Sequence, residues 1–191
     1  MGTRSGDRLA DTPGSVTTVG LSDPSLVLLV GAAGAGKSTF AARHFAPPEI
    51  LSSDAFRALL SGDEADQAAS GAAFALLHRA VGRRLASGLM SVVDATNVDR
   101  RARFALRDRA RAADVPTAAF VLALPDAVVL ARNRARARQV DESVVRRQLE
   151  RVRRALEPNG LASEGFATIW IGRTPNEVAA VSVERTAGRP R

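Results

Sequence analysis

Short apolar runs alternate with amphipathic stretches along most of the chain. The run SLVLLV (25–30) is continuous rather than alternating, the pattern of a strand buried on both faces. STFAARHF (38–45) after it is helix-compatible. EILSSD (49–54) reads as a short strand ending at Asp54, and AFRALLS (55–61) as a helix, followed by an acidic loop, GDEADQ (62–67). Over residues 70–88, Phe74, Leu77, Val81 and Leu85 recur at helical spacing and predict one core-facing stripe. MSVVDATN (90–97) is a strand running into a polar turn. Residues 99–114 form a basic helix, and PTAAFVLAL (116–124) is another buried strand. Pro125 and Asp126 open a helix, and an Arg-rich segment follows to about Leu156, where PNG (158–160) breaks it. FATIWI (166–171) is the last strand and TPNEV begins a short final helix.

Strands that alternate with helices predict parallel βαβ units, hence an α/β domain of three layers with a mostly parallel sheet. Ligands of such folds bind beyond the carboxyl ends of the strands. The expected division is a disordered leader over 1–22, one domain over 23–182 and a disordered tail over 183–191.

The loop after the first strand gives the site its chemistry. GAAGAGKST (31–39) fits the P-loop pattern G-x-x-x-x-G-K-[ST] between a strand and a helix start. Gly31, Gly34 and Gly36 allow backbone N–H groups to converge on phosphate oxygens, with Ala35 and Thr39 completing the cradle. The helix start adds the positive end of its dipole. Lys37, the only lysine in the chain, reaches the β- and γ-phosphates, and Ser38 offers its hydroxyl to Mg²⁺. A compact ammonium on a flexible stem suits that reach better than a planar guanidinium. ATP and Mg²⁺ are therefore the expected cofactors.

Other motifs narrow the class. With one lysine the chain cannot hold the guanine-reading N-K-x-D, and the Asp-Glu pair of a mechanical ATPase is missing, since Ala95 follows Asp94. A small phosphotransferase remains. Asp54, just after a strand, is the candidate general base for an acceptor hydroxyl, or a helix cap, or both. Arg57, one turn later, is either a fork for an acceptor phosphate or a solvated arginine. Arg132 and Arg136, spaced i,i+4 in ARNRARARQ (131–139), fit a helical Arg-rich lid over ATP. They equally fit a solvated basic helix, because nine arginines lie between 132 and 154. The arginines of helix 99–111, which starts at the DATN turn, could form a positive approach to the site for a strand of phosphates. His44 and His78 are isolated, with His78 on an amphipathic helix.

Composition adds limits. The net charge of +7 fits an anionic partner such as nucleic acid, or a compositional arginine bias. No run of 18 apolar residues marks a membrane span. The first residues lack the apolar segment of an export signal, so the cytoplasm is the expected compartment. The absence of cysteine excludes disulfides and thiolate metal sites.

Taken in order, GAAGAGKSTFAARHF, LSSDAFRALLS, FALLHRAVGRRLASG, SVVDATN, ARNRARARQV and EGFATIWI resemble the 5′-hydroxyl polynucleotide kinase module of bacterial RNA end-healing and sealing proteins. The resemblance runs from about residue 25 to 178. It implies phosphoryl transfer from ATP to a 5′-OH end of RNA or DNA. By position it makes Asp54 the base, Lys37, Arg132 and Arg136 catalytic, Arg57 an acceptor- or nucleotide-phosphate contact, and Asp94, Thr96 and Asn97 contacts to Mg²⁺-bound water or acceptor. The chain departs from the family pattern at Ala137 and Asp141, so no role is carried onto Arg138. The family module is usually fused to phosphatase and ligase-like domains, which here would be separate proteins. The alternatives are a small-molecule P-loop kinase of the gluconate or antibiotic phosphotransferase kind, and a non-enzymatic ATP-binding protein.

Overall fold

The computed structural model describes residues 17–62 and 70–187. Five strands make one parallel sheet: β2 (Leu26–Val30), β3 (Ile50–Ser52), β4 (Ser91–Asp94), β5 (Thr117–Leu122) and β6 (Thr168–Gly172), in the order β3-β4-β2-β5-β6. Every residue of β2 and β5 is buried, as expected of strands covered on both faces.

Alternate residues of β2 serve two cores. Val27 and Leu29 pack on the side of helices α1 (Lys37–His44) and α5 (Asp126–Arg134). Leu26, Leu28 and Val30 pack on the side of α3 (Ser70–Ala86) and α4 (Arg100–Ala112). Helix α6 (Glu142–Ala155) reaches both, through Val145 and Leu149 on one and Val152 on the other. Helices α2 (Ser53–Ser61) and α7 (Pro175–Ala180) complete the set. The three-layer α/β reading holds.

Four details differ from expectation. In α3, Leu77, Val81 and Leu85 are buried as read, but the stripe continues through Ala73, four residues before Leu77, and Phe74 stands on its flank, 36% exposed. The Arg-rich segment is not one helix. Asn133, itself buried, gives its side-chain amide to Val140 O (2.7 Å) and accepts from Val140 N (3.1 Å), closing a loop over 135–139. Asp141 then caps a new helix by accepting from Ser143 N (2.8 Å). Arg132 is therefore helical and Arg136 is not.

The expected leader and tail also yield structure. Part of each forms a second, two-stranded parallel sheet of β1 (Thr18–Asp23) with β7 (Ser182–Ala187). Val19 and Leu21 alternate with Gly20 and Ser22 and bury into the first core, which gives β1 a reason to order. Residues 1–16, 188–191 and the acidic loop from Asp63 onward lie outside the described residues. No helix among the described residues is long and apolar enough to cross a membrane.

Candidate active site

The loop between β2 and α1 turns on two glycines in the left-handed region, Gly34 (φ 87°) and Gly36 (φ 96°). A Cβ on Gly34 would lie 2.7 Å from the Val129 carbonyl oxygen, so the loop also packs too closely for a side chain there. Gly36 ends the loop as the N-cap of α1, whose first turn has neither a side-chain cap nor an acidic residue. Its N–H groups and the positive end of its dipole stay available to an anion. Gly31 N–H donates to Thr96 O (3.0 Å), which ties the loop to the DATN turn.

Lys37, the first helical residue, is buried and donates from Nζ to Ala32 O (2.9 Å). Burial pushes its pKa down to about 8. Asp94 opposes that shift, Arg136 adds to it and Asp54 opposes it. These groups therefore sense one another's charge across one site. Asp94 ends β4, beside β2 in the sheet. Burial raises its pKa, while the Ser38 hydroxyl, donating to it, and Lys37 hold the rise back.

Asp54 lies in the first turn of α2. The cap of that helix is Ser52, whose hydroxyl accepts from Ala55 N (3.4 Å), which leaves Asp54 without the capping role. Its carboxylate instead accepts from the Arg57 guanidinium. Both face a cavity of about 1110 Å³. Gly34, Ala35, Gly36, Lys37, Ser38 and Thr39 line it along the P-loop; Asp94, Thr96, Arg132 and Arg136 line it further round. Arg132 reaches to 3.5 Å from where a Gly36 Cβ would be.

Two of the expected contact residues are elsewhere. Gly31 is off the cavity wall and packs against Leu122. Asn97 is buried (4% exposed), and its side-chain amide donates to Leu29 O (2.8 Å) and Val93 O (3.2 Å). It stitches β2 to β4 and is off the cavity wall; the short polar side chain also supports its positive φ of 46°. His44 packs on Phe40, and burial lowers the pKa of both His44 and His78; neither lines the cavity.

The arginines separate into groups that spacing could not distinguish. Arg134 and Arg146 pair with Glu142, and Arg153 and Arg154 with Glu150. Arg132, Arg136 and Arg138 line the cavity. In α4 the basic face breaks up. Arg103 is 2% exposed and pairs with buried Glu164, with a further donation to Asn97 O (2.9 Å). Arg107 and Arg111 lie with Pro116 and Thr117, at the opposite edge of the sheet from the P-loop. The helix starts beside the site and runs away from it, because a parallel sheet requires each crossover to return to the far edge.

Three residues went unread in the sequence. Phe74 lines the cavity but matched a core stripe. Gln148 of α6 accepts from Ala33 N–H (2.8 Å), a contact 115 residues apart that no local pattern signals. Asn133 pins the loop that carries Arg136 and Arg138.

Asp94 with the Ser38 hydroxyl suits Mg²⁺, an ion held through one or two carboxylates with phosphate and water supplying the rest. Among the described residues no group of three or more His, Cys, Asp or Glu side chains gathers to hold a metal, so no all-protein metal cage competes with that arrangement.

Comparison with known proteins agrees with this geometry. A family model described as "AAA domain" matches residues 26–159. No curated protein matches the chain. Similar solved structures include a gluconokinase from Sinorhizobium meliloti 1021, at 20% identity and a TM-score of 0.51, covering 83% of this chain and 87% of that one. The Pnkp1/Rnl/Hen1 RNA repair complex aligns at 23% identity and 0.56, covering 70% of this chain and 45% of that one. Chaetomium thermophilum Kti12 in complex with ADP-AlF3 aligns at 18% identity and 0.56, covering 81% and 93%. With a P-loop, a parallel five-stranded sheet and a family model matched over well more than half its length, the chain belongs to the AAA domain family and has a P-loop kinase-like fold.

Proposed function

We propose that the protein transfers the γ-phosphoryl group of ATP to the 5′-OH end of a polynucleotide. The observation that carries this reading is that the Asp54 carboxylate, the Arg57 guanidinium and the 36% exposed Phe74 ring line one cavity with the P-loop. They match the three parts of a terminal nucleotide. A carboxylate takes the proton of a hydroxyl, a planar fork holds a phosphate, and an aromatic face stacks on a base.

In this reading the P-loop amides and Lys37 hold the β- and γ-phosphates. Ser38 and Asp94 would hold Mg²⁺, which would supply neutralisation of phosphate charge. The acceptor oxygen forms a bond to γ-phosphorus as the bond to the bridging β–γ oxygen breaks. Asp54 receives the hydroxyl proton, and ADP leaves. Arg132 and Arg136 stabilise the charge on the transferring group.

The second reading is a small-molecule kinase, favoured by Arg57, which fits a carboxylate as well as a phosphate. The similar folds include both an RNA repair complex and a gluconokinase. Labelled ATP offered with 5′-OH RNA, 5′-OH DNA and a panel of sugar acids decides between them. Labelling of an oligonucleotide end is expected; turnover of a sugar acid with no oligonucleotide labelled overturns the proposal.

A further inference from the structure

The peptide unit joining Ala32 to Ala33 is held from both sides. Its carbonyl accepts from Lys37 Nζ (2.9 Å), and its N–H donates to Gln148 Oε1 (2.8 Å). A trans peptide points these two groups in opposite directions, so the lysine and the glutamine flank the leading edge of the P-loop.

The bond also fixes which way the Gln148 amide faces. An N–H donor must be met by oxygen, so the planar carboxamide presents its NH₂ away from the loop. Gln148 lines the same cavity as Lys37, Asp94 and Arg136, and its NH₂ is a hydrogen-bond donor. The ligands that belong in this cavity are phosphates, which are rich in acceptors. The stem of Gln148 is steady because α6 is anchored by Val145, Leu149 and Val152, each 5% exposed or less.

Ala33 directly precedes Gly34–Lys37, and all five residues line the cavity together with Asp54 and Gln148. We propose that Gln148 donates to the terminal phosphate of the bound nucleoside triphosphate, opposite Lys37, and so distinguishes ATP from ADP. Helix α6 begins directly after the loop that carries Arg136 and Arg138. Through Gln148 the arrival of a third phosphate is thus felt by the same helix that anchors the arginine loop. The inference rests on a nucleotide in the P-loop but not on the identity of the acceptor.

Two variants test it. Gln148→Glu keeps an acceptor for Ala33 N–H but replaces the donor with a negative charge. Gln148→Ala removes both. Calorimetry would compare ADP with an ATP analogue carrying an imido bridge between the β- and γ-phosphates, and thermal melting of the unliganded proteins would report the fold. For Gln148→Glu the analogue should bind about tenfold more weakly or worse, the loss of a hydrogen bond to a charged group plus repulsion. ADP affinity should stay within about twofold. Gln148→Ala should lose about three- to tenfold for the analogue with a smaller change for ADP. Equal losses for both nucleotides in Gln148→Ala, with no selective loss in Gln148→Glu, would reduce the residue to a brace for the loop and overturn the proposal. So would unchanged affinity for both. If Gln148→Glu does not fold, the ratio of the two affinities in Gln148→Ala decides. A wild-type protein that bound neither nucleotide would remove the nucleotide reading and this inference with it.

Discussion

Arg57 donates to the carboxylate of Asp54 from one turn further along α2, so the candidate base and the candidate phosphate fork meet as a pair on the cavity wall. Since Ser52 caps the helix, Asp54 is not needed to start it. Asp54→Asn should therefore melt close to the wild type and bind ATP unchanged, while phosphoryl transfer falls roughly 10²-fold or more. Calorimetry of ATP binding beside a rate assay separates the two; weaker ATP binding in step with the rate would count against a base.

Lys37→Arg should abolish most activity. The ammonium is buried and held on Ala32 O, and a rigid planar guanidinium on a longer stem cannot reproduce the reach of a compact ammonium from that position. Measured turnover near the wild-type rate would mean that the single lysine of this arginine-rich chain is an accident of composition.

Arg136 lines the cavity and acts on the charge of Lys37, whereas Arg153 is spent on Asp126 and Glu150 at the surface. Arg136→Ala should lower the rate more than it weakens ATP binding, because the charge it meets develops during transfer. Arg153→Ala should change neither and melt close to the wild type, since its ion pairs are solvent-exposed. Equal effects from the two substitutions would return Arg136 to a solvated segment.

Arg103 belongs by sequence to a basic approach for a strand of phosphates, yet it is enclosed with Glu164 and holds the Asn97 carbonyl. Arg103→Met should cost about 3 kcal/mol by leaving buried Glu164 with only the longer pairing to half-exposed Arg100 (3.8 Å), and Glu164→Leu added to it should restore much of the loss. Chemical denaturation of the single and double variants measures this. A stable Arg103→Met with weakened oligonucleotide binding would reinstate the surface reading.

Arg185 of β7 donates to both oxygens of Glu49 (2.7 and 2.6 Å) and holds its carboxyl below the usual range, against a smaller opposing effect of burial. A depressed carboxyl contributes stability above its ordinary value and loses it as pH falls through the folded value. Glu49→Gln should lower stability at neutral pH by at most about 1 kcal/mol, since the pair is partly exposed, and the difference from wild type should close in strong acid. Melting curves at both pH values test the sign; a gap that widened in acid would contradict it.

Local patterns carried much of this protein. Continuous apolar runs marked β2 and β5 because strands covered on both faces have no solvent side to encode. Gly34, Gly36, Lys37 and Ser38 were legible because a phosphate cradle needs a backbone shape that few residues allow, and those residues lie within one short loop. Asp54, Arg57, Asp94 and Thr96 were legible because they end or closely follow strands whose carboxyl edges a parallel sheet brings together.

Contacts between distant segments were decided only by the fold. The fates of the arginines depend on which acid stands nearby after folding. Arg103 meets Glu164 and Arg134 meets Glu142, while Arg132 and Arg136 turn to the cavity. The break at Asn133 depends on a side chain finding Val140 across a loop, and β1 acquires order only when β7, more than 150 residues later, lies beside it. Phe74 and Ala73 differ by one helical position, and which of them the core receives is set by how α3 seats on the sheet. Sequence spacing encodes what one element presents; the direction in which α4 leaves the site, and the meeting of Gln148 with Ala33, exist only once the elements are packed.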